Sequence, residues 1–133
     1  KKNFTLNLDQ DSNVKKITKS IEIVYGLRNF IGNANKFSKG KVFINLKSDS
    51  EITEIIIEDD GNGYPRDVLP KIGEPYLSSN DPIVKSKTGL GLGLFIGKTL
   101  LEKNFASINC RNSKTRSGAE VIVRWKNRDL FNI

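Results

Sequence analysis

The sequence contains no histidine, no methionine, a single cysteine and no long apolar run. The absence of histidine excludes a histidine-based zinc site, a Ser-His-Asp triad and a Cys-His dyad within this chain. The single Cys110 excludes an internal disulfide, which fits a reducing compartment. No stretch approaches the ~20 apolar residues of a bilayer-spanning helix, and the first residues lack the pattern of a secretory signal. Because a chain without methionine does not begin at a natural start codon, we expect a piece of a longer protein.

The 133 residues carry a formal net charge of +7 and are 37% hydrophobic, which suits one compact domain, 1–133, with a single core. Positive charge favours anionic partners such as a nucleotide, a nucleic acid, an acidic protein or a membrane surface. The lysines are scattered rather than grouped, so a solvated surface is the more ordinary explanation. Nucleic acid is not expected, because the chain lacks basic residues interleaved with aromatics and any known reader motif.

The apolar pattern predicts five strands, over residues 3–8, 41–48, 52–59, 106–112 and 119–125. It also predicts two long helices, one from residue 14 to about 38 and one over residues 90–104, with a short helical piece after Pro65. Asp11 or Ser12 is the expected N-cap of the first helix and Gly40 its C′ residue. The expected core stripe of that helix consists of Val14, Ile17, Ile21, Val24, Leu27, Ile31 and Ala34. Residues 73–89 have no clear period and predict a mobile loop.

These elements predict an α+β two-layer sandwich. A mixed sheet of about five strands would be covered on one face by about three helices. Cys110 falls on a strand and is interpreted as a small buried hydrophobic residue rather than a redox switch.

Three polar residues share one stripe of the first helix, in the segment "LRNFIGNANKF". Asn29, Asn33 and Lys36 are spaced i, i+4 and i+7, roughly opposite the apolar stripe. They therefore face either solvent, as ordinary surface residues, or a cleft.

A glycine-rich loop follows the third predicted strand, in "EDDGNGYP". Gly61 and Gly63 allow a turn with positive φ and the close approach of a ligand. Asp59, at the start of this turn, can accept a hydrogen bond from an amino group such as that of adenine. A plain strand-to-loop turn is an equal alternative at this stage.

Alternating glycines precede the second helix, in "TGLGLGLFIGKT". Their backbone N–H groups and the helix N-terminus suit an anion such as phosphate, whereas a flexible hinge is the alternative. The spacing matches neither the dinucleotide-binding G-x-G-x-x-G pattern nor a P-loop, because the first glycine that a P-loop requires falls on Leu92. Lys98 is therefore predicted to be a surface helix residue.

Taken in order, "NFIGNANKF", "DDGNG", "GEPY" and "TGLGLGLFIGK" resemble the N, G1, F and G2 boxes of the histidine kinase ATP-binding domain. This domain belongs to the wider family of gyrase, Hsp90, histidine kinase and MutL ATPases, and the resemblance runs from about residue 21 to residue 123. "GEPYLS" and "GLGLGLFIGKTLLE" look most like the RegB/PrrB/ActS group of bacterial sensor kinases. The resemblance implies the Bergerat ATP-binding fold.

The resemblance also implies a role for each matching residue. Asn33 would coordinate Mg²⁺, Asn29 would line the same face, Lys36 would reach the phosphates, and Asp59 would accept from the adenine amine. The remaining ATP-binding positions are implied to be Phe37, Gly61, Gly63, Tyr76, Lys87, Thr88, Gly89, Leu90, Gly91, Leu92 and Gly93, with Lys85 as a further lid contact. The sequence departs from the family at Gly32, where an acidic residue is common.

The implied function is that of an ATP-dependent histidine kinase with Mg-ATP as its cofactor. The γ-phosphoryl would move to a histidine on a dimerisation helix outside this chain, and a response regulator would act downstream. The full-length protein would be a membrane-anchored homodimer, with this domain in the cytoplasm. A serine kinase of the anti-sigma type and a hydrolysing ATPase remain alternatives, although Asn29 stands where the hydrolysing relatives have a glutamate base.

Overall fold

The structure is a computed structural model that describes residues 2–8, 20–74 and 90–130. Its strands are β1 (Asn3–Leu8), β2 (Lys41–Ser48), β3 (Ile52–Asp59), β4 (Ser107–Asn112) and β5 (Ala119–Lys126). Its helices are α1 (Ile21–Phe37), α2 (Leu90–Lys103) and the short α3 (Asn127–Leu130), and a 3-10 turn spans Leu69–Lys71. No helix among these residues is both long and apolar enough to cross a membrane.

The five strands form one mixed sheet in the order β1-β2-β3-β5-β4. The β1–β2 pair is parallel and the other neighbours are antiparallel. Because side chains alternate between the faces of a strand, one face presents buried apolar residues from neighbouring strands, such as Val42, Ile57 and Val121. Helices α1 and α2 contribute to the same core. The predicted five-stranded mixed sheet with a helical layer is confirmed.

Helices α1 and α2 pack closely through glycines. A β-carbon at Gly26 of α1 would lie 2.8 Å from Leu101 Cγ, and one at Gly97 of α2 would lie 2.8 Å from the Phe30 ring. Neither position has room for a larger side chain without a shift of its neighbour. This contact fixes the rotation of α1 about its axis.

The predicted start of the first helix is wrong. Ser20 has an extended backbone and caps a helix that begins at Ile21, with its Oγ accepting a hydrogen bond from the Ile23 N–H at 3.3 Å. A single helix running on from residue 14 is therefore excluded. The candidate cap residues Asp11 and Ser12 and the first turns of the predicted helix lie outside the described residues.

The predicted core stripe of α1 is also partly wrong. Ile21 is 80% exposed and Val24 40% exposed. The residues that are buried instead are Ile23, Gly26, Phe30 and Ala34. The stripe is rotated because the close contact at Gly26 turns this side of α1 toward α2, a constraint that apolar spacing does not encode.

The end of α1 differs from the prediction as well. The helix ends at Phe37 with Ser38 as an extended C-cap, so Gly40 is not its C′ residue. The next amide groups are satisfied from elsewhere in the chain, because Asp60 Oδ1 accepts from the backbone N–H groups of residues 39–41 at 2.8, 3.1 and 3.1 Å. Asp60 thereby connects the loop after β3 to the connection between α1 and β2.

The remaining predicted elements are confirmed within one or two residues, including the short helical piece at Leu69–Lys71. Helix α3 was not predicted. Its first residue, Asn127, is buried and accepts a hydrogen bond from Thr53 Oγ1 at 2.6 Å. Most of the predicted mobile loop, residues 75–89, lies outside the described residues.

Candidate functional site

A mostly apolar cleft lies between α1, the sheet and the loop that follows β3. Two of the polar side chains predicted for the site, Asp59 and Asn33, line this cleft together with Phe37 and Gly63. The topology brings them together because β3 ends beneath the C-terminal half of α1. Concave, mostly apolar sites with a few polar groups are the usual form of small-molecule sites.

Asp59 is a buried carboxyl group at the end of β3, with 3% of the residue exposed. Its Oδ1 accepts hydrogen bonds from the backbone N–H groups of Gly61 at 2.8 Å and Ala119 at 3.3 Å. Within the described residues no hydrogen bond engages Oδ2, which leaves this acceptor available to a ligand. Burial raises the pKa of Asp59, although the two N–H donors act in the opposite direction.

Two glycines allow the chain to close around Asp59. A β-carbon at Gly61 would lie 2.2 Å from the Phe37 carbonyl oxygen, and one at Gly118 would lie 2.0 Å from the Asp59 carbonyl oxygen. Both distances are too short for any side chain. The end of α1, the loop after β3 and the β4–β5 connection therefore meet around a single carboxyl group.

Tyr64 forms a further part of the cleft wall, next to Gly63. Its hydroxyl group interacts with the thiol of Cys110 on β4. Burial raises the pKa of the Tyr64 hydroxyl well above its ordinary value and raises that of the Cys110 thiol to about 11. Both groups are therefore neutral near pH 7. Cys110 was predicted to be a small buried residue, and it is only partly buried.

Asn33 lies against the first turns of α2. A β-carbon at Gly93 would lie 3.2 Å from Asn33 Nδ2 and 3.4 Å from Oδ1, so glycine is what lets the amide approach the helix. Asn33 Nδ2 is buried and has no hydrogen-bond partner among the residues that the structure describes. A buried polar atom without a partner is uncommon in folded proteins and is consistent with a ligand beside it.

The N-terminus of α2 supplies donors next to this amide. Leu90, Gly91, Leu92 and Gly93 are the first four residues of α2, whose N–H groups have no partner within the helix. Such a helix end attracts anions. Gly91 and Gly93 thus lie in the first turn of α2 rather than ahead of it. Leu92, between these two glycines, is 56% exposed.

The protein groups in the cleft suit a magnesium ion that is already bound to phosphate oxygens and water. The described residues include no group of three or more histidine, cysteine, aspartate or glutamate side chains that could hold a metal. One amide oxygen, from Asn33, is available beside the α2 N-terminus. Mg²⁺ usually keeps several waters and shares substrate phosphates with one or two protein ligands. The site fits Mg²⁺ bound to a polyphosphate better than a free ion.

Asn29 and Lys36 do not line the cleft itself. The Asn29 side chain donates to the Tyr25 carbonyl oxygen at 2.8 Å, one turn earlier in α1. Lys36 is partly buried near the C-terminus of the same helix. Lys98 forms an ion pair with Glu102 at 3.1 Å, well beyond the first turn of α2, as expected of a surface helix residue. The predicted contacts at Tyr76, Lys85, Lys87, Thr88 and Gly89 lie outside the described residues.

Several lining residues were not predicted. They are Phe30, Ala34, Ile57, Tyr64, Pro65, Ala119 and Val121. Tyr64 and Pro65 directly follow the second glycine of the loop, so an aromatic residue next to Gly63 was a usable signal. The contribution of Ala119 and Gly118 depends on β5 pairing with β3, which local sequence does not reveal.

Comparison with known proteins agrees with this geometry. Residues 18–129 match the family described as histidine kinase-, DNA gyrase B- and HSP90-like ATPases. The sensor histidine kinase RegB of Cereibacter sphaeroides is 35% identical over 119 residues, covering 78% of this chain and 26% of RegB. The sensor protein kinase PilS of Pseudomonas aeruginosa is 34% identical over 99 residues, covering 69% of this chain and 18% of PilS. The chain thus spans about a quarter or less of these relatives.

Solved structures share the fold at low identity. The mycobacterial sensor histidine kinase MprB aligns with a TM-score of 0.75 at 22% identity, over 92% of this chain and 82% of that one. Full-length ShkA in complex with AMPPNP aligns with a TM-score of 0.69 at 22% identity, over 92% of this chain and 25% of that one. The resemblance predicted from the four motifs is confirmed, and the chain belongs to the family of histidine kinase-, DNA gyrase B- and HSP90-like ATPases.

Proposed function

We propose that residues 1–133 form one ATP-binding domain that holds Mg-ATP in the cleft between α1, β3 and the loop after β3. In the full-length protein the bound ATP donates its γ-phosphoryl group to a histidine on a separate dimerisation helix. The observation that carries the proposal is the geometry of Asp59, a buried carboxyl group with one oxygen fixed by two backbone N–H groups and the other without a hydrogen bond from any residue that the structure describes.

Asp59 suits the base end of the cleft. The exocyclic amine of adenine is a donor, whereas the oxygen that guanine carries at the corresponding position is an acceptor. A fixed carboxylate oxygen therefore accepts from adenine and repels guanine. The apolar walls that include Phe37 and Tyr64 suit the faces of a planar base.

Asn33 and the N-terminus of α2 suit the phosphate end. The Asn33 amide, unpartnered within the described residues, lies against Gly93 in the first turn of α2. Backbone N–H groups there bind phosphate oxygens, Lys36 adds positive charge from the end of α1, and Gly89 would extend the cradle. Mg²⁺ held by Asn33 would neutralise charge on the phosphates during transfer.

Transfer to a partner is favoured over hydrolysis. The Asn29 amide is engaged with the Tyr25 carbonyl and has no lone pair that is basic enough to activate water. The chain has no histidine, so a histidine acceptor would lie outside it. The similarity to RegB and PilS, both named sensor kinases, favours a histidine acceptor over the serine acceptor of an anti-sigma kinase.

The same similarity supports proposals about the whole protein. We expect a homodimer anchored in the inner membrane, with this domain in the cytoplasm and a response regulator as the downstream partner. A nucleic-acid-binding role has no support beyond the net charge of +7.

Titration calorimetry of this chain with AMPPNP and GMPPNP, each with and without Mg²⁺, tests the binding proposal. One-site binding of AMPPNP that strengthens with Mg²⁺ and exceeds binding of GMPPNP is expected. Equal binding of the two nucleotides would contradict the role of Asp59. For transfer, the full-length protein incubated with γ-labelled ATP should acquire an acid-labile phosphoryl group, and an acid-stable one would instead indicate a serine acceptor.

A further inference from the structure

Asn112, the last residue of β4, holds the backbone of Tyr64 at two points. The Tyr64 N–H donates to Asn112 Oδ1 at 2.6 Å, and Asn112 Nδ2 donates to the Tyr64 carbonyl oxygen at 3.1 Å. One side-chain amide thus satisfies both polar backbone groups of a residue in a loop without helix or strand. Buried or ordered loops need such partners because their own backbone groups are otherwise unpaired.

The backbone conformation of Gly63 and its lack of a side chain allow this contact. Its φ is +78°, in the left-handed region, and a β-carbon there would lie 2.7 Å from Asn112 Oδ1. A side chain at this position would push the amide away from Tyr64. Gly63 therefore allows the Asn112 amide to approach Tyr64, in addition to allowing the turn.

The contact bears on the cleft because Gly63 and Tyr64 both line it. Strand β4 holds the backbone of Tyr64 through Asn112, and Cys110 of the same strand lies near the Tyr64 hydroxyl group. The other end of the loop is fixed where Asp59 accepts from the Gly61 N–H. The position of the Tyr64 ring relative to Asp59 thus depends on the Asn112 amide.

We infer that Asn112 is a positioning residue for the base end of the cleft, which sets the place of the Tyr64 ring and so the affinity and choice of the base. The inference rests on the proposed function. A purely structural role would lower the stability of the fold without changing the preference between AMPPNP and GMPPNP, so that preference distinguishes the two roles.

The test compares Asn112→Ala with Asn109→Ala, an exposed asparagine on the opposite face of the same strand. Asn112→Ala should weaken AMP and AMPPNP binding by the same factor, about five- to tenfold, because the ligand must then order a loop that has lost two hydrogen bonds. The preference for AMPPNP over GMPPNP should shrink, a change that a loss of stability alone would not produce, and Tm of both variants is measured beside it. In Asn109→Ala the affinities for AMP and AMPPNP should match those of the wild type.

Asn112→Asp provides a second variant, because its carboxylate keeps the acceptor for the Tyr64 N–H and loses the donor. It should bind more weakly than wild type, and hydrogen exchange at the Tyr64 amide should remain slower than in Asn112→Ala. Unchanged affinity and base preference in Asn112→Ala, with wild-type binding intact, would overturn this inference alone. An equal loss in Asn109→Ala would also overturn it. Absence of nucleotide binding by the wild type would overturn the proposed function and this inference together.

Discussion

Replacing Asp59 by asparagine should separate the stability of the fold from the binding of adenine. In Asp59→Asn the amide oxygen can keep both bonds that Oδ1 accepts, from Gly61 and Ala119. The amide nitrogen, however, takes the place of Oδ2 and presents a donor to the donor of adenine. Loss of a hydrogen bond to a charged group costs about 1.5–3 kcal/mol, so AMPPNP affinity should fall about 10- to 150-fold.

The same substitution should not weaken the fold. Burial raises the pKa of Asp59, so its ionised form is less favourable in the folded chain than in the unfolded chain. A neutral amide removes this cost, and at pH 7 the variant should be as stable as wild type or about 1 kcal/mol more stable. As pH falls through the raised pKa, wild type becomes protonated and the difference in stability should close.

The neighbouring Asp60 provides a matched control, because its pKa is shifted in the opposite direction from that of Asp59. Burial acts to raise the pKa of Asp60, but the backbone N–H groups of residues 41, 40 and 39 outweigh it and the pKa is lowered. Its carboxylate therefore stabilises the fold above its ordinary pKa, and this contribution is lost as pH falls through the lowered value. Asp60→Asn should lower stability by about 1 kcal/mol at pH 7 and leave the preference for adenine unchanged.

The assay is calorimetric titration with AMPPNP and GMPPNP, beside thermal unfolding of wild type and both variants from pH 4 to pH 8. We expect weak binding with an unchanged or higher Tm in Asp59→Asn, and intact selectivity with a lower Tm in Asp60→Asn. A strongly destabilised Asp59→Asn that still preferred adenine would show instead that Asp59 is a structural residue.

Three further predictions concern the phosphate end and the helices. Asn33→Asp should change the Mg²⁺ dependence of AMPPNP binding more than Tm, whereas equal Mg²⁺ dependence in titrations of both proteins would remove Asn33 from the metal site. Gly93→Ala places a β-carbon 3.2 Å from Asn33 Nδ2, so AMPPNP binding with Mg²⁺ should weaken severalfold, although alanine favours the helix. Unchanged AMPPNP affinity in this variant would contradict the close contact between Gly93 and Asn33. Gly32 has no atom within 4 Å of its β-carbon position, so Gly32→Ala should raise stability by about 1 kcal/mol in urea unfolding, whereas Gly97→Ala should lower it. Equal effects of the two alanines would show that α1 and α2 are not in close contact.

The strands were predictable because each combines a clear apolar pattern with turn residues at its ends. β2 and β3 were predicted with their observed bounds, Lys41–Ser48 and Ile52–Asp59. The rotation of α1 was not predictable. Its apolar residues occupy more than one stripe, and the close approach of Gly26 to Leu101 decides which stripe is buried.

The site was predictable where motif residues carry their own chemistry. Asp59 and Asn33 were identified from short segments, and both line one cleft. Asn112 and Gly118 could not be identified in this way, because their roles depend on β4 and β5 lying beside the loop after β3. Asn112 is an ordinary surface asparagine in the sequence, and pairing of β5 with β3 and β4 makes it a neighbour of Tyr64.

A crystal structure of this chain with Mg²⁺ and AMPPNP would show directly whether the cleft binds ATP as proposed. We expect the adenine amine within about 3 Å of Asp59 Oδ2 and the base beside Tyr64. We also expect the Asn33 amide oxygen about 2.1 Å from Mg²⁺, with phosphates at the first turn of α2. A nucleotide bound elsewhere, or one whose base does not contact Asp59, would contradict the proposed function.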